Sequence, residues 1–212
     1  MSSQIHHLLE NEELSKSMAE QQFGFDVLAG LTESPKRLSS KYFYDAVGSE
    51  LFSRITRLQE YYPTRLEAQI LERNKQNLVE KLGHQGVNLI DLGAGDGQKT
   101  MILLRYLYEQ GLNPRFMPID ISETAIEGLI QVVQKEFPEI PCEGMVSEYF
   151  RGIHWLNSQP GDRVNLVLFL GSNIGNFERG QARAYLRQLW TVLRPGDLVL
   201  IGFDLKKDID LL

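Results

Sequence analysis

The stretch at residues 89–99 reads L-I-D-L-G-A-G-D-G-Q-K, and it limits what the chain can fold into more than any other segment. Residues 87–92 form a short apolar run broken only by Asn88 and Asp91, which suits a parallel strand covered on both faces. Gly93, Gly95 and Gly97 follow in alternation. Glycine accepts positive φ and lets a ligand approach the backbone with no Cβ in the way. Beyond Lys99 the pattern turns helical, with Met101, Leu104, Leu107 and Tyr108 spaced along one face. A buried strand, a glycine turn and a helix N-terminus together make a seat for a nucleotide-like ligand.

Two glycine loops of known mechanism fail on inspection. The dinucleotide fingerprint G-x-G-x-x-G needs a glycine where this chain has Gln98. The phosphate-binding loop G-x-x-x-x-G-K-[ST] matches at Gly93, Lys99 and Thr100 but meets the same Gln98. What remains, acidic-x-G-x-G-x-G, resembles the first motif of the Rossmann-like S-adenosylmethionine methyltransferases. A glycine turn after a strand also serves as a plain reversal into a helix, and that structural reading stays open here.

The 212 residues suffice for one domain with a substantial core. A net charge of −6 without a basic run argues against nucleic acid or an anionic membrane as partner. No apolar run reaches the roughly 18–20 residues needed to span a bilayer. Residues 1–22 are polar with no hydrophobic signal core, so a cytoplasmic location is expected. The single cysteine, Cys142, excludes an internal disulfide and reads as a small filler near a strand. His6 and His7 are adjacent and would diverge on a helix, so no metal site is expected there.

Taken in order, residues 1–22 read as a frayed, flexible leader with short helical character. Residues 23–83 read as a helical cap. Within it Gly30 and Pro35 mark turns, and Ser49 is the expected N-cap of a short helix carrying Leu51, Phe52 and Ile55. Thr64 with Glu67 reads as a capping box after Pro63. The helix it opens is expected to present Leu66, Ile70, Leu71, Leu78 and Leu82 to a core and to end near Gly83. Five rings, Tyr42, Phe43, Tyr44, Tyr61 and Tyr62, crowd the cap. Rings with hydroxyls suit a pocket that is apolar on one side and takes an amine or carboxylate on the other.

Residues 84–212 read as a Rossmann-like core of alternating strands and helices. The strand R-F-M-P-I-D ends at Asp120, 23 residues past Gly97, where an acid is placed to accept hydrogen bonds from ribose hydroxyls. The competing reading is an N-cap-like acid before the helix that Ser122 opens. A third strand covers residues 143–146. Glu148 and Tyr149 stand just beyond it, where an adenine would lie, or else on a solvated loop. The run R-V-N-L-V-L-F-L-G is the expected central strand beside the first, and it ends in G-S-N-I-G-N-F. Asn173 and Asn176 there offer uncharged donors and acceptors at the carboxyl end of a strand, where open α/β sheets bind ligands. A helix over 178–193, the turn R-P-G-D and a fifth strand D-L-V-L-I-G-F-D complete the chain.

From about residue 25 to residue 212 the chain resembles the histidine-specific S-adenosylmethionine methyltransferases. These trimethylate the α-amine of histidine to hercynine in ergothioneine biosynthesis, and a related fungal branch methylates a prenylated tryptophan. The resemblance is carried by K-Y-F-Y-D-A-V-G-S-E-L-F, I-T-R-L-Q-E-Y-Y-P-T-R-L-E, D-L-G-A-G-D-G-Q-K-T, F-L-G-S-N-I-G-N-F and R-P-G-D with G-F-D-L-K-K-D. It implies an α/β fold, a Rossmann-like class I methyltransferase sheet with five parallel strands in this chain and an N-terminal helical cap. It implies S-adenosylmethionine as cofactor and an amino acid as substrate.

Position by position, the resemblance implies that the glycine turn, Gly93 and Gly95, receives the cofactor by close backbone approach. Lys99 would meet its carboxylate, Asp120 its ribose, and Glu148 with Tyr149 its adenine. Tyr44, Tyr61 and Asn176 match residues that line the amino-acid pocket. Departures are Glu148 for the usual Asp, and Ser39, Gln59 and Asn173 for Pro, Pro and Thr. Family members run on past the fifth strand, so the last strands of the sheet are expected to be missing here. That would leave an unpaired edge open to self-association. Two rivals stay open: a nicotinamide-dependent oxidoreductase, against which Gln98 argues, and a cofactor-binding fragment of an assembly without catalysis of its own.

Overall fold

A computed structural model describes residues 4–7, 12–83, 86–148, 151–152 and 162–206. Its centre is one parallel sheet. The strands are β1 (Gln4–His7), β2 (Val87–Leu92), β3 (Pro114–Asp120), β4 (Glu143–Val146), β5 (Val164–Phe169) and β6 (Leu198–Ile201), in the order β1-β4-β3-β2-β5-β6. Every neighbouring pair is parallel. The helices are α1 (Glu12–Thr32), α2 (Ala46–Ile55), α3 (Pro63–Glu80), α4 (Gln98–Glu109), α5 (Glu123–Glu136) and α6 (Arg179–Val192).

The sheet is central because β2 is buried along its whole length. Its residues alternate between two apolar layers. Val87 and Leu89 join the layer with α3, α4 and α5, built on Leu71, Leu103, Leu104, Leu107, Ile126 and Val133. Ile90 and Leu92 join the layer with α6, around Phe169, Tyr185 and Leu189. Two polar residues interrupt the run, and each makes a buried side-chain hydrogen bond, though Asn88 Oδ1 itself finds no partner among the described residues. Asn88 donates through Nδ2 to Asn165 Oδ1 at 2.9 Å across the β2–β5 pair, and Asp91 accepts from the Thr100 hydroxyl. A buried polar group costs free energy unless it is hydrogen-bonded. Cys142 is buried, as expected, and burial pushes its thiol up to about 12.

The sheet differs from expectation at its N-terminal end, where it has six strands rather than five. Residues 4–7 are not helical leader but strand, paired in register with β4 (Ile5 with Gly144, His6 with Met145). Q-I-H-H has no strand pattern of its own, and β4 supplies the ladder that local propensity does not. The following helix α1 runs across the expected 22/23 boundary and contains Gly30. The turn that Gly30 was expected to mark comes later, at residues 33–35. Gly30 has a different duty: Arg37 N–H donates to its carbonyl at 3.0 Å, and a Cβ on Gly30 would stand 2.0 Å from the Arg37 carbonyl oxygen.

Three local expectations in the cap give way. Asp45, not Ser49, caps α2, accepting from Gly48 N–H at 2.7 Å. No side chain caps α3, whose N-cap is Tyr62 with Pro63 following, and Glu67 turns away to longer-range partners. On α3, Leu71 is buried and Leu78 packs on the core, but Leu66 and Ile70 face outward. On α4, Met101, Leu104 and Leu107 are buried as expected, while Tyr108 is exposed with its ring against Phe137.

Candidate functional site at the carboxyl ends of the strands

The β2–α4 turn is shaped by its glycines. Gly93, Gly95 and Gly97 all have positive φ, at 79°, 53° and 66°. Their duties differ. A Cβ on Gly97 would stand 2.3 Å from Leu129 Cδ1, so this glycine lets α5 close on the turn. A Cβ on Gly95 would meet nothing within 4 Å, so its backbone can be approached from outside. Gly93 N–H is spent on the Ile119 carbonyl at 2.8 Å and serves the sheet.

Asp120 closes over this turn from the end of β3. Its Oδ2 accepts from Gly95 N–H and its Oδ1 from Ser122 N–H, each at 2.9 Å. These bonds give Asp120 the bracing role of an acid before α5, and they link the tip of β3 to the glycine turn after β2. Burial raises its pKa, while the backbone donors work the other way. One turn deeper, Asp91 is fully buried, and burial pushes its carboxyl up to about 6 against the help of Thr100 and Lys99.

Lys99 lies on the first turn of α4, and its partner was not foreseen. Its Nζ is 2.5 Å from Glu67 Oε2. The same carboxylate accepts from Gly171 N–H, at 3.0 Å to Oε1 and 2.8 Å to Oε2. Gly171 has φ +73° in the turn after β5, and the amide of Asn173 stands near the same point. Gly202, just past β6, leaves the space: a Cβ there would be 1.7 Å from Glu67 Oε1. One side chain thus ties α3 to the first turn of α4 and to the turn after β5, with the backbone just past β6 close beside it. The available signal was a counter-charge for Lys99, but T-x-x-E satisfied a local motif first.

A second tie lies alongside. Tyr62 OH donates to Asp204 Oδ2 at 2.6 Å, and Asp204 N–H donates to Ser172 Oγ at 2.6 Å. Ser172 is a non-glycine residue at φ +58°. Tyr44 and Tyr61 are joined through Phe52, with ring centroids 5.9 Å apart on each side and edge-to-face geometry. Burial first, then Tyr44, Glu67 and Asp204, raise the pKa of Tyr61, so it stays a neutral hydroxyl at physiological pH.

Of the residues expected to form a site, Gly95 with Asp120 are in direct contact, and Tyr44 with Tyr61 share a ring cluster through Phe52. Glu148 is exposed and stands 3.8 Å from Lys41 Nζ in the cap. Asn176 ends the short 3-10 turn Asn173–Asn176 and is exposed. Among the described residues no hydrogen bond or ring contact joins it to Tyr44 or Tyr61. Tyr149 lies outside the described residues. No group of three His, Cys, Asp or Glu among the described residues could hold a metal ion. No described helix is long and apolar enough to cross a membrane. A shallow depression of about 740 Å³ on the outer face of α6, around Arg183, Arg187 and Trp190, shares none of these residues.

Comparison with known proteins bears on this geometry. The family described as histidine-specific methyltransferase, SAM-dependent, matches residues 23–212. The histidine N-alpha-methyltransferase of Mycolicibacterium smegmatis is 40% identical over 183 residues, which are 86% of this chain and 56% of that protein. Ergothioneine biosynthesis protein 1 of Neurospora crassa is 32% identical over 177 residues, 83% of this chain and 20% of that protein. The chain thus spans about half the length, or less, of these curated relatives. Magnesium protoporphyrin IX methyltransferase from Synechocystis PCC 6803, solved with bound SAM, matches with a TM-score of 0.52 at 19% identity, over 72% of this chain and 69% of that one. That likeness shows the fold.

Proposed function

The chain belongs to the histidine-specific, SAM-dependent methyltransferase family, and from that membership we propose that it takes part in methyl transfer to the α-amine of an amino acid, L-histidine. The observation that carries the proposal is the single carboxylate of Glu67. It gathers Lys99, the Gly171 turn and the Gly202 exit at the carboxyl ends of the strands, where open α/β sheets take their ligands.

The residues fit S-adenosylmethionine. Gly95 offers open backbone, Lys99 offers N–H bonds toward a carboxylate, and Asp120 stands half-buried at the tip of β3. In this reading Gly93 and Gly95 admit the cofactor to the backbone, Lys99 holds its carboxylate, Asp120 its ribose, and Glu148 with Tyr149 its adenine. The cofactor supplies a methyl group already activated on a sulfonium. The chain then has to hold a neutral amine in line with the sulfur–methyl bond, within about 3–3.5 Å. Tyr44, Tyr61 and Asn176 orient that amine by hydrogen bonds, and the proton it loses passes to solvent. No covalent intermediate and no metal enter. Residues 23–83 act as the substrate-side cap and residues 84–212 as the cofactor-binding core. Both ligands are small, water-soluble metabolites, in keeping with a cytoplasmic setting.

Calorimetric titration with S-adenosylmethionine tests the cofactor half, and absence of heat from folded protein overturns it. Labelled cofactor with histidine, followed by mass spectrometry of the product, tests the transfer half. The 56% coverage of the mycobacterial relatives favours a second outcome for this length of chain: cofactor binding without turnover. The outer edge of β6 is where further sheet or a second copy would pair; light scattering distinguishes a monomer from a self-associated form.

A further inference from the structure

The pair formed by Glu67 and Lys99 is built unlike a structural staple. Its side chains are 16% and 21% exposed, so solvent and salt screen it less than a surface pair. A lysine ammonium carries three donors, and Lys99 spends one on Glu67. A carboxylate offers about four acceptor sites, and Glu67 spends only part of them, on Lys99 and on one shared backbone N–H. Among the described residues each partner therefore keeps capacity of its own sign. The result is a fixed plus and a fixed minus, side by side, at the strand ends. Their mirror image is a zwitterion: one carboxylate and one ammonium on the same carbon.

We infer that Glu67 receives the α-ammonium of the cofactor's amino-acid tail while Lys99 receives its carboxylate. This rests on the cofactor reading above and adds a residue to it. Two features favour the tail over the methyl-accepting amino acid. Lys99 rises from the same turn as Gly95, which Asp120 braces, so the pair belongs to the nucleoside-binding strand ends. The amine to be methylated must also be neutral, whereas a carboxylate at hydrogen-bond distance would favour its charged form. Gly202 is part of the device, because any side chain there would displace Glu67.

The test uses the whole chain and three thioether nucleosides, by calorimetry. They are S-adenosylhomocysteine, its deaminated analogue that keeps the carboxylate, and 5′-methylthioadenosine, which lacks the tail. Glu67→Gln is expected to weaken S-adenosylhomocysteine by about ten- to a hundredfold, the range for a hydrogen bond to a charged group. The deaminated analogue and methylthioadenosine should change by less than about twofold. Gly202→Ala, which crowds Glu67 without altering its charge, should show the same selectivity and covers the case in which Glu67→Gln does not fold. Equal losses for all three nucleosides, or no loss for S-adenosylhomocysteine, overturn the inference and leave Glu67 as a fastener of the cap. If Glu67→Gln instead weakens histidine and spares the nucleosides, the zwitterion is the substrate and the assignment to the cofactor fails. If none of the nucleosides binds the unaltered protein, the cofactor reading itself falls and takes this inference with it.

Discussion

The sheet layers and the N-terminal cap are held by different physics. Around β2, α4 and α5 the apolar side chains are gone from solvent, with Leu103, Leu104, Leu107 and Phe116 at 0% exposure. In the part of the cap before α3 the large apolar residues stay outside: Phe25, Phe43 and Val47 are each about two-thirds exposed. Among the described side chains of residues 20–62, only Gly30 counts as buried. The cap is held instead by polar joints. Tyr42 OH donates to Asp26 at 2.6 Å, Lys41 reaches Asp26 and Glu148, Arg37 reaches Glu178, and Tyr62 reaches Asp204. Apolar burial is non-directional and sums over a whole layer, whereas a polar joint is worth little except between its two groups. The core can therefore be strong, and the cap can be weakly held and still correctly placed.

The widest gap should come from truncating one large side chain in each region. Leu103→Ala removes a fully buried group and is expected to cost about 2–5 kcal/mol in urea unfolding. Phe25→Ala, at a site 67% exposed, should stay within about 0.5 kcal/mol. Comparable losses at the two positions would erase the distinction.

The same contrast governs what the sequence revealed. β2, its glycine turn, α4, the strand ending at Asp120 and the β5 run were all legible, because a buried strand needs unbroken apolar residues and a tight turn needs glycine. The cap's joints were not. Lys41 with Glu148, and Tyr62 with Asp204, link residues more than a hundred positions apart, and no local pattern announces such a pair. β1 was missed because its partner lies in β4. Glu67 was misread because T-x-x-E is a sound local motif, and here tertiary donors outbid the helix N-terminus.

A second way to probe the core uses its buried acid. Asp91 has a carboxyl pushed from 3.8 up to about 6 by burial. Between those values the folded state holds a proton that the unfolded chain has released. Stability from this group is thus fully present below about pH 4 and is lost as pH rises through about 6. The rise corresponds to about 3 kcal/mol, at about 1.4 kcal/mol per pH unit. Asp91→Asn should gain on the parent protein by up to that amount between about pH 4 and pH 8, by urea midpoints. An unchanging gap across that range would show that the carboxyl is not desolvated. In the cap the carboxyl of Asp26 goes the other way: its pKa is lowered, chiefly by the Tyr42 hydroxyl.

That hydroxyl is the next smaller step. Tyr42→Phe keeps the ring against Phe23, whose centroid is 4.7 Å away, and removes only the bond to Asp26. The expected cost is about 0.5–1.5 kcal/mol. It should show as faster amide exchange confined to α1 and the adjoining 3-10 turn Ser40–Phe43, with the global unfolding midpoint nearly unmoved. A matching loss of protection in β2 and β5 would mean that cap and core unfold as one unit.

The smallest effect separates holding from placing. The Arg37 guanidinium contacts Glu33 and Glu178, and all three side chains are about half exposed. Exposed pairs contribute about 0–1 kcal/mol and fade in about 1 M salt. Glu178 does a second thing: it forms a capping box with Gln181 at the start of α6. Glu178→Ala removes both the helix cap and the joint, whereas Arg37→Ala removes only the joint. The first should cost about 0.5–2 kcal/mol, and most of that should survive high salt because it belongs to the helix. The second should cost less and vanish in salt. If Arg37→Ala cost as much as Glu178→Ala, and kept that cost in salt, docking of the cap would draw on burial at this joint. The division between an apolar core and a polar-jointed cap would then fail where it is weakest.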